Sequence, residues 1–337
     1  MSGAVLVTGG AGYVGSHAVL ALIDGGYRPV VLDNLSTGSA AAVPEGAPLI
    51  VGDVADGALV ERIFAEHDIA AVMHFAASLV VAESVADPLA YYRNNTIGTF
   101  RLLERCVARG VGRFIFSSSA AVYGPSQAGV VSEREPCLPI SPYGASKLFC
   151  ERMLMDAASA HASFRPICLR YFNVAGADDQ GRAGQRGAAP TDLISVAIET
   201  AIGARPRLQI FGRDYATRDG TCERDYVHVS DVAQAHVAAL RYLEDDGAPT
   251  VLNCGYGTGH TVLEVISALE GLVGCALPTQ SAARRPGDPP RLIADASEIR
   301  RRLSWRPSRD ALPVMIQSAL RMRRSQGDDR VVQAAGV

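Results

Sequence analysis

Gly9-Gly10-Ala11-Gly12-Tyr13-Val14-Gly15 is the stretch that most restricts how this chain can fold. It follows a short apolar run, Ala4–Thr8, and opens an apolar segment, Ser16–Asp24, which Gly25-Gly26 closes. A second apolar run, Pro29–Leu32, ends in Asp33, eighteen residues past Gly15. Strand, glycine turn, helix, strand and acid, in that order, predict a dinucleotide-binding βαβ unit. Without Cβ atoms at Gly9, Gly12 and Gly15 the backbone can approach a pyrophosphate, and the helix start offers N–H donors and positive partial charge. Asp33 is placed to accept hydrogen bonds from adenosine ribose hydroxyls. Its charge repels a 2′-phosphate, so NAD is expected rather than NADP.

The same alternation continues. Strands are expected at Leu49–Val51, Ala70–Met73, Phe114–Ser117 and Pro166–Tyr171, with helices at Leu59–Glu66, Pro88–Ala108 and Pro142–Ala160 between them. This predicts an α/β chain with a Rossmann-type, doubly wound parallel sheet. Ligands collect at the carboxyl ends of such strands, so Gly9, Asp33, Asp53, Phe75, Ser119 and Asn173 are expected to converge. Beyond Asn173 the texture is more polar, with loops at Ala177–Pro190 and Asp214–Asp225. The expected division is an NAD-binding domain over 1–174, to which the chain returns around 226–256. A smaller C-terminal α/β substrate-binding domain takes 175–225 and 257–325, and 326–337 is a frayed tail.

Composition narrows the partners. The chain has 337 residues, is 48% hydrophobic and 20% charged, and carries a net charge of −3. That balance points away from nucleic acid or an anionic membrane surface. No apolar run approaches the about 20 residues of a membrane span. Seven cysteines without C-x-x-C spacing fit reduced thiols rather than a disulfide framework or a zinc site. With a strand starting almost at the first residue, the expected address is the cytoplasm.

Lys147 is the only lysine in the sequence; the other 31 basic residues are Arg. It lies four residues after Tyr143 in Ser141-Pro142-Tyr143-Gly144-Ala145-Ser146-Lys147, a spacing that shares one helix face. An ammonium beside a phenol favours the phenolate, so the Tyr143 pKa is expected below its usual value of about 10. Such a tyrosine can serve as an acid/base near neutral pH.

These motifs resemble the extended short-chain dehydrogenase/reductase family and, within it, the UDP-glucose (UDP-galactose) 4-epimerases. The resemblance runs through Thr8–His17, Asp33–Ser36, Gly52–Val54, His74–Ala77, Ser117–Gly124, Ser141–Lys147, Leu169–Ala177, Arg224–Val229 and Arg284–Asp288. It implies NAD held tightly and recycled within each turnover, with Tyr143 moving the proton of the sugar 4-hydroxyl while C4 passes through a keto state. Lys147 is implied to hold the nicotinamide ribose, and Ser119 to hydrogen-bond the 4-oxygen. The implied cofactor contacts are the glycine turn with Tyr13 and Val14, then Asp33, Asn34, Leu35, Ser36, Thr37 and Gly38. Asp53, Val54, Phe75, Ala76, Ala77, Leu79, Asn94 and Phe172 complete them, with Ser119, Tyr143 and Lys147. The implied UDP-sugar contacts, besides Ser119 and Tyr143, are Asn173, Leu193, Phe211, Arg224, Arg285, Asp288 and Leu292. A homodimer paired through the Pro88–Ala108 and Pro142–Ala160 helices is implied as well.

Three residues depart from the resembled pattern: Leu79 replaces a lysine of some epimerases, Asp192 stands where Asn or His is frequent, and Leu292 has intermediate bulk at the sugar C2 position. Alternatives on the same frame are a 4-epimerase of UDP-pentoses or UDP-uronic acids, a nucleotide-sugar 4,6-dehydratase and a non-catalytic NAD-binding protein. A dehydratase needs an acid/base pair beside the active-site hydroxyl, whereas Ser119 is followed by Ala120-Ala121.

Overall fold

The structure, a computed structural model, describes residues 3–126, 129–186, 190–285 and 287–334, with only the backbone given over 327–334. Its centre is a seven-stranded sheet. The strands are Ala4–Thr8 (β1), Pro29–Asp33 (β2), Leu49–Val51 (β3), Ile69–His74 (β4), Arg113–Ser119 (β5), Arg165–Tyr171 (β6) and Thr250–Cys254 (β7). They lie in the order β7-β6-β5-β4-β1-β2-β3, all parallel. The order reverses between β1 and β4, which is where such a sheet opens a crevice at its carboxyl edge.

β1 shows why the sheet is covered on both sides. All five of its residues are buried, and successive side chains point to opposite faces. Val5 and Val7 join a core with Val19, Leu22, Val232 and Leu240. Leu6 joins another with Val60, Leu102, Phe114 and Leu154. A continuous apolar strand is what a doubly covered parallel sheet requires.

A second sheet carries Gly259–Thr261, Glu223–His228, Arg291–Ala294 and Val130–Val131 in that order, with Asn173–Ala175 added beside Glu223–His228. Leu208–Phe211 pairs separately with Thr279–Ala282. The loop expected over Asp214–Asp225 therefore ends in a strand. Glu223 and Asp225 are buried there, Glu223 against Arg218 and Arg291, and Asp225 under the N–H groups of Tyr256, Gly257 and Ala294. Satisfied carboxylates break the hydrophobic pattern that otherwise marks a strand.

Two further expectations change. The Pro88–Ala108 helix contains a wider turn, Tyr92–Ile97, with i→i+5 bonding between Pro88–Tyr91 and Gly98–Arg109. The frayed tail expected from 326 is instead part of a helix, Leu312–Ala334, and Gln326 donates from Nε2 to the Gln185 carbonyl at 3.0 Å. Extending a formed helix fixes one residue per added bond, so weak sequence suffices there. Residues 335–337, and 187–189 of the Ala177–Pro190 loop, lie outside the described residues.

Candidate active site

At the carboxyl edge of the sheet a solvent-open cleft of about 1510 Å³ is lined by Gly9, Gly12, Tyr13, Val14 and Gly15 from the turn. From β2 and the residues after it come Asp33, Asn34, Ser36, Thr37 and Gly38, and after β3 Asp53 and Val54. Phe75, Ala76, Ala77, Leu79 and Asn94 follow, then Ser119, Tyr143, Lys147 and Phe172. Leu35 alone of the expected cofactor set does not line it. Its backbone turns to φ +58, and its N–H is taken by Asp33 Oδ1 at 2.8 Å.

The turn fits a dinucleotide. A Cβ on Gly15 would lie 2.1 Å from the Gly9 carbonyl oxygen, so helix and strand end can close to this distance only with glycine. The helix Tyr13–Asp24 has no side-chain cap, whereas Asp56, Ser141, Asp192 and Thr261 cap the helices they precede. Its first N–H groups thus lack the partner that those four helices supply themselves. Asp33 is fixed by accepting from Ala11 N at 2.9 Å as well as from Leu35 N, and its remaining lone pairs suit ribose hydroxyls.

The reactive side chains arrive from two elements. Ser119 ends β5 and accepts from Ala121 N at 3.2 Å. Tyr143 and Lys147 lie on the helix Pro142–Ala160, which Ser141 caps by accepting from Gly144 N at 3.2 Å. Pro142 suits the first helical position because its missing N–H would have no partner there. A Cβ on Gly144 would be 2.4 Å from the Ala121 carbonyl. That close approach presses the helix start against the segment after Ser119.

Electrostatics overturn one expectation. Burial pushes the Tyr143 phenol above its usual value, opposed by a hydrogen bond from Ser119. Lys147 does not lower it here. The ammonium, only 3% exposed, donates to the Ser117 carbonyl at 2.7 Å and lies 4.9 Å from the Phe116 ring centre. Burial lowers Lys147 to about 8, against the opposing fields of Cys150 and Glu151. Desolvation thus outweighs the pairing that the four-residue spacing suggests.

The expected UDP-sugar residues other than Ser119 and Tyr143 are not among the residues lining that cleft. Arg224 donates from Nη2 to Asp288 Oδ1 at 3.0 Å. The Arg285 guanidinium stacks 4.0 Å from the Phe211 ring centre. Arg224 is in register with Leu292, and Asn173 with Tyr226, so Asn173, Arg224 and Leu292 sit on adjacent strands of the second sheet. Leu292 packs against a cluster containing Phe172, which also lines the cleft. Leu193 starts the helix Leu193–Ala201 and packs on the larger core.

A family model described as the NAD dependent epimerase/dehydratase family matches residues 5–255. The chain belongs to this family. It is 51% identical over 321 residues to a UDP-glucose 4-epimerase of Azospirillum brasilense, covering 95% of this chain and 92% of that one. A solved UDP-glucose-4-epimerase from Stenotrophomonas maltophila with bound NAD and formylated UDP-arabinopyranose superposes with a TM-score of 0.93 at 38% identity, over 97% of this chain and 99% of that one. The UDP-glucose 4-epimerase of Brucella ovis in complex with NAD gives 0.91 at 42% identity, over 95% and 98%.

For a member of the epimerase/dehydratase family, the departures now have physical readings. Asp192 lines the cleft but accepts from Ser195 N at 2.9 Å as a helix cap. Leu79 offers the cleft an exposed apolar side chain, with no ammonium to donate. Sequence reasoning missed Asn95. It is buried, accepts from Ser78 N at 2.8 Å, and donates to Ser146 Oγ at 3.0 Å and to the Ser78 carbonyl. It ties the segment after Phe75 to the Tyr143 helix. The adjacent pair Asn94-Asn95 inside a predicted helix was its available signal, since asparagine disfavours helix interiors unless its amide has partners.

Proposed function

We propose that the chain catalyses NAD-dependent 4-epimerisation of a UDP-hexose, interconverting UDP-glucose and UDP-galactose through a transient 4-keto sugar. The observation that carries this reading is the convergence of Ser119, Tyr143 and Lys147 on the cleft that also holds the glycine turn and Asp33. Bound NAD supplies a reversible two-electron oxidant. Tyr143 takes the proton of the 4-hydroxyl and returns it after the sugar has presented its other face. At neutral pH the raised phenol keeps its proton, which is the form that protonates the keto oxygen. The hydrogen bond from Ser119 favours the phenolate needed for the opposite half, and Lys147 holds the ribose beside it. Ser119 hydrogen-bonds the 4-oxygen. Among the described residues, the carboxylates lining the cleft are Asp33, Asp53 and Asp192. Asp33 ties down the turn, Asp192 caps a helix, and Ala120-Ala121 follow Ser119, which argues against a dehydratase.

Phe211 takes the uracil in this reading, Arg224 and Arg285 the diphosphate through charge-assisted bonds, and Asp288 a further polar group of the nucleotide. Asn173, Leu193 and Leu292 border the sugar side. The nucleotide half of the chain is 1–174 with the return at 226–256, and the UDP-sugar half is 175–225 with 257–325. Seven unpaired cysteines fit a reducing compartment such as the cytoplasm. Among the described residues no helix is long and apolar enough to cross a membrane.

Purified protein incubated separately with UDP-galactose, UDP-xylose and UDP-glucuronate tests the assignment. UDP-glucose from UDP-galactose is the expected main product. No conversion, together with no nicotinamide released on denaturation, removes the reading, and faster turnover of either other sugar reassigns the substrate.

The same reading includes a homodimer. Ile97, Phe100 and Phe149 are 50%, 41% and 45% exposed on the two helices expected to pair. An apolar patch on adjacent helices suits burial against a second copy. Light scattering is expected to return twice the chain mass of 35.5 kDa, and a monomer at micromolar concentration rejects the dimer.

A further inference from the structure

Behind the reactive side chains runs a polar chain that the epimerisation chemistry does not itself use. Glu151 lies one helical turn past Lys147 and is buried. Its Oε1 accepts from Ser118 Oγ at 2.5 Å and from Arg170 Nε at 2.9 Å, and its Oε2 from Arg170 Nη2 at 2.6 Å. Arg170 also donates from Nη1 to the Tyr123 hydroxyl at 2.9 Å. Tyr123 donates to Asn253 Oδ1 at 2.6 Å, and Asn253 Nδ2 donates to the Val131 carbonyl at 2.9 Å. The chain therefore joins the Tyr143 helix, the end of β5, the segment after Ser119, β6, β7 and the second sheet.

Stability alone does not explain a charged pair here, since apolar residues of similar volume are often as stable in such positions. Its placement is more informative. Ser118 immediately precedes Ser119, and Glu151 stands on the helix that presents Tyr143 and Lys147. Ser118 lies one residue from Ser119, which must meet the sugar, and Glu151 one turn from Lys147, which holds the nicotinamide ribose.

We propose that Glu151, with Arg170 as counter-ion and Ser118 as its link to β5, is a positioning residue for the epimerisation. It sets the spacing between Ser119 and the Tyr143 helix, and it supplies the carboxylate that faces the Lys147 ammonium. The other groups around Lys147 are neutral near pH 7 or already matched. On its own helix Cys150 is a buried thiol with its pKa pushed up, and Tyr143 is a phenol pushed up by burial. On β4, burial holds His74 near 3. On β6, the Cys168 thiol and the Tyr171 phenol are pushed up by burial, and Arg170 is bound to Glu151. β5 contributes the Ser117 carbonyl. Loss of the Glu151 carboxylate lowers the pH at which the ammonium gives up its proton.

The proposal rests on the epimerase reading, and two variants of the NAD-loaded enzyme test it separately. Glu151→Gln alone strands a buried cation, so the pair is removed together as Glu151→Leu with Arg170→Met. That variant is expected to keep its nicotinamide and its KM for UDP-galactose, while the alkaline limb of its kcat profile moves down, since the Glu151 carboxylate and not the Arg170 guanidinium acts on the ammonium. An unmoved limb in this variant overturns the electrostatic part. Ser118→Ala cuts only the link to β5 and leaves the ion pair. It is expected to lower kcat about tenfold at unchanged KM and unchanged limb. Wild-type kcat in Ser118→Ala overturns the positioning part. Absence of epimerisation by the wild type sinks the underlying reading instead, so the two failures are distinct.

Discussion

A Tyr143→Phe chain is expected to fold, to carry its nicotinamide and to lose turnover by about 10²–10⁴-fold, the usual weight of a positioned acid/base. The substitution removes one oxygen and leaves the supports of the ring. Tyr91 still meets it edge to face at 6.5 Å. The helix start is still held by the Ser141 cap and by the close approach of Gly144 to the Ala121 carbonyl. The loss should fall on kcat, because the missing hydroxyl acts on the proton of the 4-hydroxyl rather than on the nucleotide. Measuring kcat, KM and released nicotinamide on the same preparation separates these effects. Activity within tenfold of wild type would show that another group moves the proton.

The cofactor half of this site was legible in the sequence because local rules determine it. A glycine turn between an apolar strand and helix has few alternatives, and Asp33 ends the next strand whatever the rest of the chain does. The exits of β1 to β5 converge because a parallel sheet aligns them. The second sheet was hidden by its own chemistry. In Glu223–His228, buried Glu223 and Asp225 are satisfied by arginines and backbone N–H groups, contacts between residues up to 69 apart in the chain. Hydrophobic period cannot report partners that far away. The wider turn at Tyr92–Ile97 is hidden for a similar reason, since the amide bonds of Asn95 reach Ser78 and Ser146 across the fold. The direction of the Tyr143 pKa was misjudged because spacing on a helix gives proximity and says nothing about burial.

Burial also governs the largest effect expected outside Tyr143. In Lys147→Arg, the guanidinium must enter a space where the ammonium already touches the Ser117 carbonyl at 2.7 Å and the Phe116 ring lies 4.9 Å away. Added bulk in such a place shifts its neighbours, typically at about 1–3 kcal/mol, and here the neighbours are the strand that ends in Ser119 and the helix that carries Tyr143. A misplacement of about 1 Å there lowers turnover about 10²-fold. Unlike Tyr143→Phe, the variant is expected to lose nicotinamide as well, because Lys147 holds the ribose in the proposed mechanism. The pH profile adds an independent reading. Lys147 titrates at about 8, so its ammonium is present below that value and lost above it. Wild-type activity should fall as the pH rises through this range. Arginine stays charged throughout, so the small residual activity of the variant should show no fall near pH 8. Wild-type turnover with wild-type nicotinamide content in Lys147→Arg would mean that the one lysine among 31 arginines does nothing an arginine could not do.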